Sequence, residues 1–421
     1  MSLEDHLAVH GPLPLVPRRG RRAESPLIGR VERAGLRGRG GGGFPLARKL
    51  RAVARSRRRS VVVINAAERE PASLKDKTLA SKLPHLLLDG GQLAAEAVGA
   101  DEVIVCTCDS APAGAESLAA AVEERRQLAA EPAAMHLASA PNDYLAGQES
   151  ALVNHLNGGR AIPTFTPTMI FEQGVRRRPT LMSNAETLAH LALIARHGSR
   201  WFRELGTPAQ PGSALLTLWG PLENPGVYEV ENGAPLTSLI DAAGGTTAPV
   251  RAALVGGYAG AWIAGEFLHG VALSDEHLAA HGASLGAGVL VLLSDSACPV
   301  AETARVTRWL AKQSAGQCGP CANGLPALAQ TIAELAAGSA QPQAAQRVER
   351  LGSLVAGRGA CGHPDGTATF ALSALDEFAA EFADHARHGP CDACTRPAEL
   401  PLPLPARVPA ARGPAGYASV R

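Results

Sequence analysis

The sequence predicts a chain of three parts: an α/β unit built on a largely parallel sheet, a small α+β module, and an all-helical end. Three observations predict it. Between Val61 and Ala138, short apolar or β-branched runs alternate with segments of helix length, which is the βαβ pattern. After Pro208-Ala-Gln-Pro-Gly212 the runs become short strands separated by turn residues around a single helix. From Val300 onward the apolar spacing is helical throughout.

The elements follow in order. Residues 1–28 are rich in Pro and Arg without periodicity and read as an N-terminal arm. Ile28–Ala34 is helical, Val61–Ile64 a strand, Leu79–Val98 a helix, Glu102–Cys108 a strand, Ala113–Ala130 a helix and Ala134–Ala138 a third strand. Gln148–Leu156 and Asn184–Arg196 are helices that close a first domain at 29–207. In the module at 208–296, Ala214–Trp219, Gly226–Val230 and Ala252–Val255 are strands and Leu236–Ala243 is the helix. The helical domain at 297–395 holds Val300–Ser314, Leu325–Ala337, Ala344–Val355 and Ala371–His385. Residues 396–421, with six prolines, read as a disordered tail.

Composition removes several classes. The 45 Gly and 31 Pro among 421 residues stay below the share of about 25–30% that marks low-complexity disorder. Lys+Arg 40 against Asp+Glu 39 leaves a net charge of +1, so no global electrostatic footprint for nucleic acid exists. The longest apolar candidate, Gly282–Leu293, is too short to span a bilayer, and the acidic N-terminus is unlike a secretory signal. The expectation is a soluble, cytoplasmic protein without direct membrane insertion. Eight cysteines in that setting point to metal or redox chemistry.

Two clusters carry ligand chemistry. Gly35-Leu-Arg-Gly38-Arg39-Gly40-Gly41-Gly-Gly43-Phe44-Pro45 is formally a dinucleotide fingerprint, but a helix precedes it where a strand should stand. Backbone N–H groups interleaved with Arg37 and Arg39 suit an anion, and Lys49 follows one helical turn later. The second cluster, Asn65-Ala-Ala-Glu68-Arg-Glu70-Pro-Ala-Ser-Leu-Lys75-Asp76, lies at the carboxyl end of the first strong strand, where open α/β sheets bind ligands. Among the cysteines, Cys318-Gly-Pro-Cys321 and Cys391-Asp-Ala-Cys394 are C-x-x-C pairs. Spacing alone leaves a two-knuckle zinc site and an iron–sulfur cluster both open. Cys106 and Cys108 read as core residues, and Cys298 carries no motif.

Together, Gly35–Lys49, Asn65–Asp76, Tyr144-Leu-Ala-Gly147-Gln148-Glu149 and Pro179-Thr-Leu-Met-Ser183-Asn184-Ala-Glu-Thr187 resemble the family of NADH-binding flavoprotein subunits of respiratory complex I and the related hydrogenase and formate dehydrogenase diaphorase subunits. The resemblance runs from about residue 28 to 390 in unbroken motif order. It implies a Rossmann-like α/β flavin domain, a β-grasp (SLBB-like) module around Gly220-Pro-Leu-Glu-Asn-Pro-Gly226, and a helical iron–sulfur domain. It implies FMN held by Gly38, Arg39, Gly40, Gly41, Phe44, Lys49, Asn65, Glu68, Tyr144, Gly147, Ser183, Asn184 and Thr187. NAD(H) would be the substrate, with Glu70 and Glu149 orienting the nicotinamide.

Departures from the family stand out. Ala52 and Met169 take the places of two stacking rings, Thr166 that of a lysine, and Gln148 that of a glutamate. Arg69 could restore a charge by meeting a 2′-phosphate. The [4Fe–4S] cluster implied at Cys318, Cys321 and Cys361 lacks its first cysteine, which is Ala315. It is therefore incomplete, or completed from elsewhere, by the C-terminal pair or by His363. The expected function is an electron-transfer oxidoreductase subunit that passes hydride from NADH to FMN, then single electrons to the cluster and on to a partner. That partner would be an iron–sulfur or membrane redox protein, placing this chain peripherally at the inner face of a membrane. The alternative is an electron relay that draws on ferredoxin and does not oxidise NADH.

Overall fold

The computed structural model describes residues 1–15, 24–56, 58–127, 131–165, 168–341 and 343–403. Two helices open the chain, α1 (Leu3–His10) and α2 (Pro26–Ala34). The expected arm is thus helical at its start. Ser2 and Asp5 cap α1 reciprocally, and the helix docks through His6, 3.0 Å from the buried carboxylate of Asp89.

The first domain continues with α3 (Leu46–Ala54), β1 (Ser60–Asn65), α4 (Lys75–Lys82), α5 (Pro84–Val98), β2 (Ala100–Cys108), α6 (Pro112–Arg126), β3 (Ala134–Ala140), α7 (Glu149–Leu156), β4 (Thr180–Asn184) and α8 (Ala185–Phe202). The segment that reads as one helix over 79–98 is two, broken at Leu83 because Pro84 disfavours helical geometry in the residue before it. The sheet is parallel, in the order β3-β2-β1-β4. Strands β1, β2 and β4 are buried on both faces, whereas the edge strand β3 is largely exposed. Val62 and Ile64 join one core with α5 and α8, while Val61 and Val63 join a second with Leu152 and Met182. Gly90 lets α5 and α8 touch, since a Cβ there would stand 2.1 Å from the Leu188 carbonyl oxygen. Strand β4 is not apparent in the sequence, because its five residues read as the lead-in to α8.

The second sheet takes β5 (Ser213–Trp219), β6 (Gly226–Glu231), β7 (Val250–Val255), β8 (Ala261–Ala264) and β9 (Val289–Ser294) in the order β6-β5-β9-β7-β8, with α9 (Leu236–Ala242) on one face and the short α10 (Asp275–Leu278) beside it. The β5–β9 pair is parallel and the others antiparallel. The apolar stretch that ends at Leu293 runs into β9, whose residues are all buried. The opposite face, with Leu254, Val291 and Trp262, packs on the helical domain.

That domain comprises α11 (Pro299–Lys312), α12 (Leu325–Ala336), α13 (Ala344–Val355), α14 (His363–Glu377) and α15 (Ala379–His388). The scarce aromatics concentrate at this junction, where Tyr258 meets Phe370 and Trp262 meets Phe378 edge-on. Residues 396–403 are not a loose tail. Leu400 is buried, and the backbone N–H groups of Glu399 and Leu400 donate to the carboxylate of Glu302 at 2.9 and 3.3 Å. The rest of the expected tail, 404–421, lies outside the described residues, as does Thr166. No helix among the described residues is long and apolar enough to cross a membrane.

Candidate active site

Strand register builds the site. Asn65 and Asn184 are partners at the carboxyl ends of β1 and β4, where the strand order reverses and a crevice opens. Asn65 donates from Nδ2 to the Gly147 carbonyl (2.9 Å) and accepts the Ala67 N–H (3.2 Å), which fixes both neighbouring loops. Asn184 caps α8 by accepting from the N–H groups of Glu186 and Thr187, and donates to Asp76 at 2.6 Å.

The glycine loop closes over these residues. The Arg39 N–H donates to Thr187 Oγ1 at 2.8 Å. Gly40 lies so near Asn184 that a Cβ would meet its side chain at 3.3 Å, and a Cβ on Gly147 would meet the Ala67 carbonyl at 2.9 Å. Two adjoining cavities of about 520 and 330 Å³ result, and Gly40, Asn65, Gly147, Gln148 and Asn184 border both. The larger also takes Arg39, Gly41, Glu68, Glu70, Tyr144 and Cys361, and the smaller takes Gly38, Phe44, Lys49, Glu149, Ser183 and Thr187. The two ligand clusters of the sequence therefore meet in one place.

Individual side chains refine this picture. The Arg39 guanidinium does not face an anion site. It is buried and donates to the Ser213 carbonyl at 2.7 Å, bracing the loop against the second sheet. Arg37 is exposed. Glu68 is engaged as a helix cap, accepting from the N–H groups of Asp76 and Lys77 at 3.2 Å and from the Ser73 hydroxyl. Lys49 pairs with Glu149 at 3.1 Å. Arg69 donates to the Ala140 carbonyl (2.5 Å) and to Asn142 (3.0 Å), so its guanidinium is committed to the end of β3 and not to a 2′-phosphate. Met169 is well exposed, and Phe44 lies under the Arg48 guanidinium at 5.3 Å.

Glu70 differs from these. It is buried, and its Oε2 accepts from the Tyr144 hydroxyl (3.2 Å) and the Tyr258 N–H (3.3 Å), while Oε1 is buried with no hydrogen-bond partner. Burial lifts this carboxyl to about 7. An orphaned acceptor on a cavity wall fits a ligand that brings a donor. Below it, buried Lys75 lies 3.0 Å from Asp76 and 2.9 Å from Glu186. Burial lifts Asp76 to about 6, only partly offset by Lys75. For Glu186, Lys75 and its other partners outweigh the same burial and hold it at about 2. Lys75 stands inside the strand-tip cluster without a motif of its own; its rarity, as one of five lysines, is the signal that marks it. Tyr258, Gly286 and Ala287 of the second domain also line the cavity and carry no signal in the sequence.

Cys318, Cys321 and Cys361 converge beside this cavity. The Cys318 sulfur accepts from the backbones of Ala360 and Cys321, and Cys321 packs with Leu325, Val355 and Ala368. Three thiols on two loops suit three corners of a four-iron cluster, and Ala315 stands in the sequence where the resemblance expects the remaining cysteine. His363 does not fill that corner, because its Nε2 donates to the Leu310 carbonyl at 3.0 Å. Nor do Cys391 and Cys394, which lie at the other end of α11, beside Cys298. The zinc set of two C-x-x-C pairs is therefore not assembled.

Comparison with known proteins agrees with this arrangement. Residues 31–193 match the Nuo51 FMN-binding domain, 215–257 the SLBB domain, and 301–385 the NADH-ubiquinone oxidoreductase-F iron-sulfur binding region. The chain is 30% identical to the F 2 subunit of NADH-quinone oxidoreductase from Rhizobium meliloti, covering 86% of this chain and 89% of that one. It is 29% identical to the corresponding F subunit from Streptomyces coelicolor, over 86% and 83%. An NAD+-reducing [NiFe]-hydrogenase in the H2-reduced state superposes with a TM-score of 0.79 at 30% identity, over 85% of this chain and 62% of that one. This chain thus spans less than two thirds of the hydrogenase chain.

Proposed function

The chain belongs to the family of NADH-quinone oxidoreductase F subunits, and from that premise we propose that it oxidises NADH and delivers electrons through a cluster at Cys318, Cys321 and Cys361 to a partner subunit. The observation that carries this reading is the convergence of Gly40, Asn65, Asn184 and Glu70 on one cavity whose wall includes Cys361. FMN, when bound there, supplies hydride acceptance and one-electron release.

This chain's residues bind, orient and exclude water. The glycine loop offers backbone N–H groups to a phosphate, with Lys49 nearby. Asn65, Asn184 and Thr187 set the loops that hold the ring system, and Ser183 and Gly147 keep that wall flat. Glu70, steadied by Tyr144, accepts a donor from the nicotinamide side through Oε1, and Glu149 adds charge beside the glycine loop. The partner that takes the electrons is an iron–sulfur or membrane redox protein, and through it the chain is held at the inner face of a membrane. The ferredoxin alternative is not favoured, since the relatives are named for nicotinamide chemistry.

Anaerobic titration of the FMN-loaded protein with NADH tests the reading. Stoichiometric bleaching of the flavin band is expected, and an unchanged band with FMN still bound overturns it.

A further inference from the structure

Four metal-binding side chains meet at the end of the helical domain remote from the flavin cavity. Cys298 caps the N-terminus of α11, His385 lies in the last turn of α15, and Cys391 and Cys394 follow it. Their donor atoms all lie within 4.8 Å of one another. Cys298 Sγ is 3.4 Å from Cys394 Sγ and 3.5 Å from His385 Nε2, Cys391 and Cys394 are 3.8 Å apart, and Cys394 is 3.9 Å from the imidazole.

One tetrahedral zinc ion, with Zn–S of about 2.3 Å and Zn–N of about 2.0–2.1 Å, requires donor separations of about 3.4–3.8 Å. A sulfide-bridged cluster would hold its thiolates further apart, because each sulfur binds a different iron. The second ring nitrogen is also provided for: Nδ1 of His385 donates to the Ala336 carbonyl at 3.3 Å, which leaves Nε2 as the free ligand atom. The locus is separate from the cluster, because α11, of 14 residues, places about 21 Å between Cys298 and the loop that carries Cys318.

We propose that Cys298, His385, Cys391 and Cys394 bind one structural Zn²⁺ that staples the C-terminal strap, residues 391–403, to the start of α11. The strap then runs across the junction of the two rear domains. Arg396 donates to the Ser296 carbonyl at 2.9 Å, Glu399 accepts the Ser294 N–H at 2.9 Å, and the Pro401 carbonyl accepts the Tyr258 hydroxyl. Tyr258 is also the residue whose N–H holds Glu70. The ion therefore secures, at one remove, the outer wall of the flavin cavity.

Metal analysis of the full chain, purified anaerobically with its flavin and iron, tests this. One zinc per chain is expected. The double variant Cys391→Ser with Cys394→Ser should lose the zinc and keep its iron, whereas Cys318→Ser with Cys321→Ser should lose iron and keep zinc. Absence of zinc from the unmodified chain overturns the proposal, as does zinc retained in the first variant or iron lost with it. Should that variant fail to fold, cobalt(II) substituted into the unmodified chain decides. Thiolate-to-cobalt charge-transfer bands with tetrahedral ligand-field bands support the site, and their absence overturns it.

Discussion

The phenol of Tyr144 donates to Glu70 Oε2 at 3.2 Å, leaving the other oxygen of that carboxylate buried and unpartnered on the cavity wall. Burial lifts Glu70 from about 4.5 to about 7, so it titrates near neutral pH. The rate of flavin reduction by NADH should change with an apparent pKa near 7, and that inflection should vanish in Glu70→Gln. Stopped-flow reduction across a pH range of about 5.5–8.5, which brackets that value, checks this.

The same shift carries a stability consequence. The folded state holds the Glu70 proton more tightly than the unfolded chain, so its contribution is fully present below about pH 4.5 and is lost as pH rises through about 7. At roughly 1.4 kcal/mol per pKa unit the full loss is on the order of 3 kcal/mol. Glu70→Gln should therefore melt higher than the unmodified protein at about pH 8.5, with the gap closing at about pH 5. Differential scanning calorimetry at the two pH values measures it, and a gap independent of pH would sink the idea.

Gly257 has φ +84°, and a Cβ there would stand 2.9 Å from Glu70 Cδ. Gly257→Ala should strain the backbone by about 1–2 kcal/mol and push Glu70 off its hydrogen bonds. Roughly a tenfold loss in kcat/KM for NADH is expected, with FMN retained, as read by steady-state kinetics and flavin absorbance.

Lys75 is enclosed with Asp76 and Glu186. Lys75→Met would leave two buried carboxylates without their cation, a loss of about 3–5 kcal/mol. Urea denaturation should show the loss, together with release of FMN at lower denaturant.

Ala315→Cys should supply the missing thiolate. Iron per chain should rise toward four, and the cluster should persist longer in air, as followed by iron analysis and EPR. Unchanged iron and unchanged lifetime would mean that the fourth corner is already filled.

Much of this is legible in the sequence, because period-2 and period-3.6 patterns are local. The first three strands, α2, α7 and α11 to α13 are visible in that way, whereas the stretch read as one helix over Ala371–His385 belongs to two, α14 and α15, parted at Phe378. So are the residues around the cavity, since turn glycines and strand-tip asparagines announce themselves. What stays hidden depends on contacts across the chain. Strand β4 is specified by its pairing with β1 more than by its own five residues. The helical break at Leu83 is different in kind, being written locally by Pro84. Arg39 has the look of an anion ligand, yet the Ser213 carbonyl holds it, and Glu68 has the look of a free carboxylate, yet α4 claims it as a cap. Cys298 lies 93 residues before Cys391 in the chain, too far for any spacing rule to join them.

One short turn, Cys361-Gly362-His363, forms part of the cavity wall and also carries one of the three cysteines proposed to hold the cluster. On the proposed function, a single peptide segment borders both redox centres, so damage at one should be felt at the other. Oxidative loss of iron at Cys361 should disturb the visible spectrum and fluorescence of the neighbouring flavin before any global unfolding. The colour of the protein then becomes a gauge of its iron, and an inspection of each preparation need begin with nothing more than a cuvette.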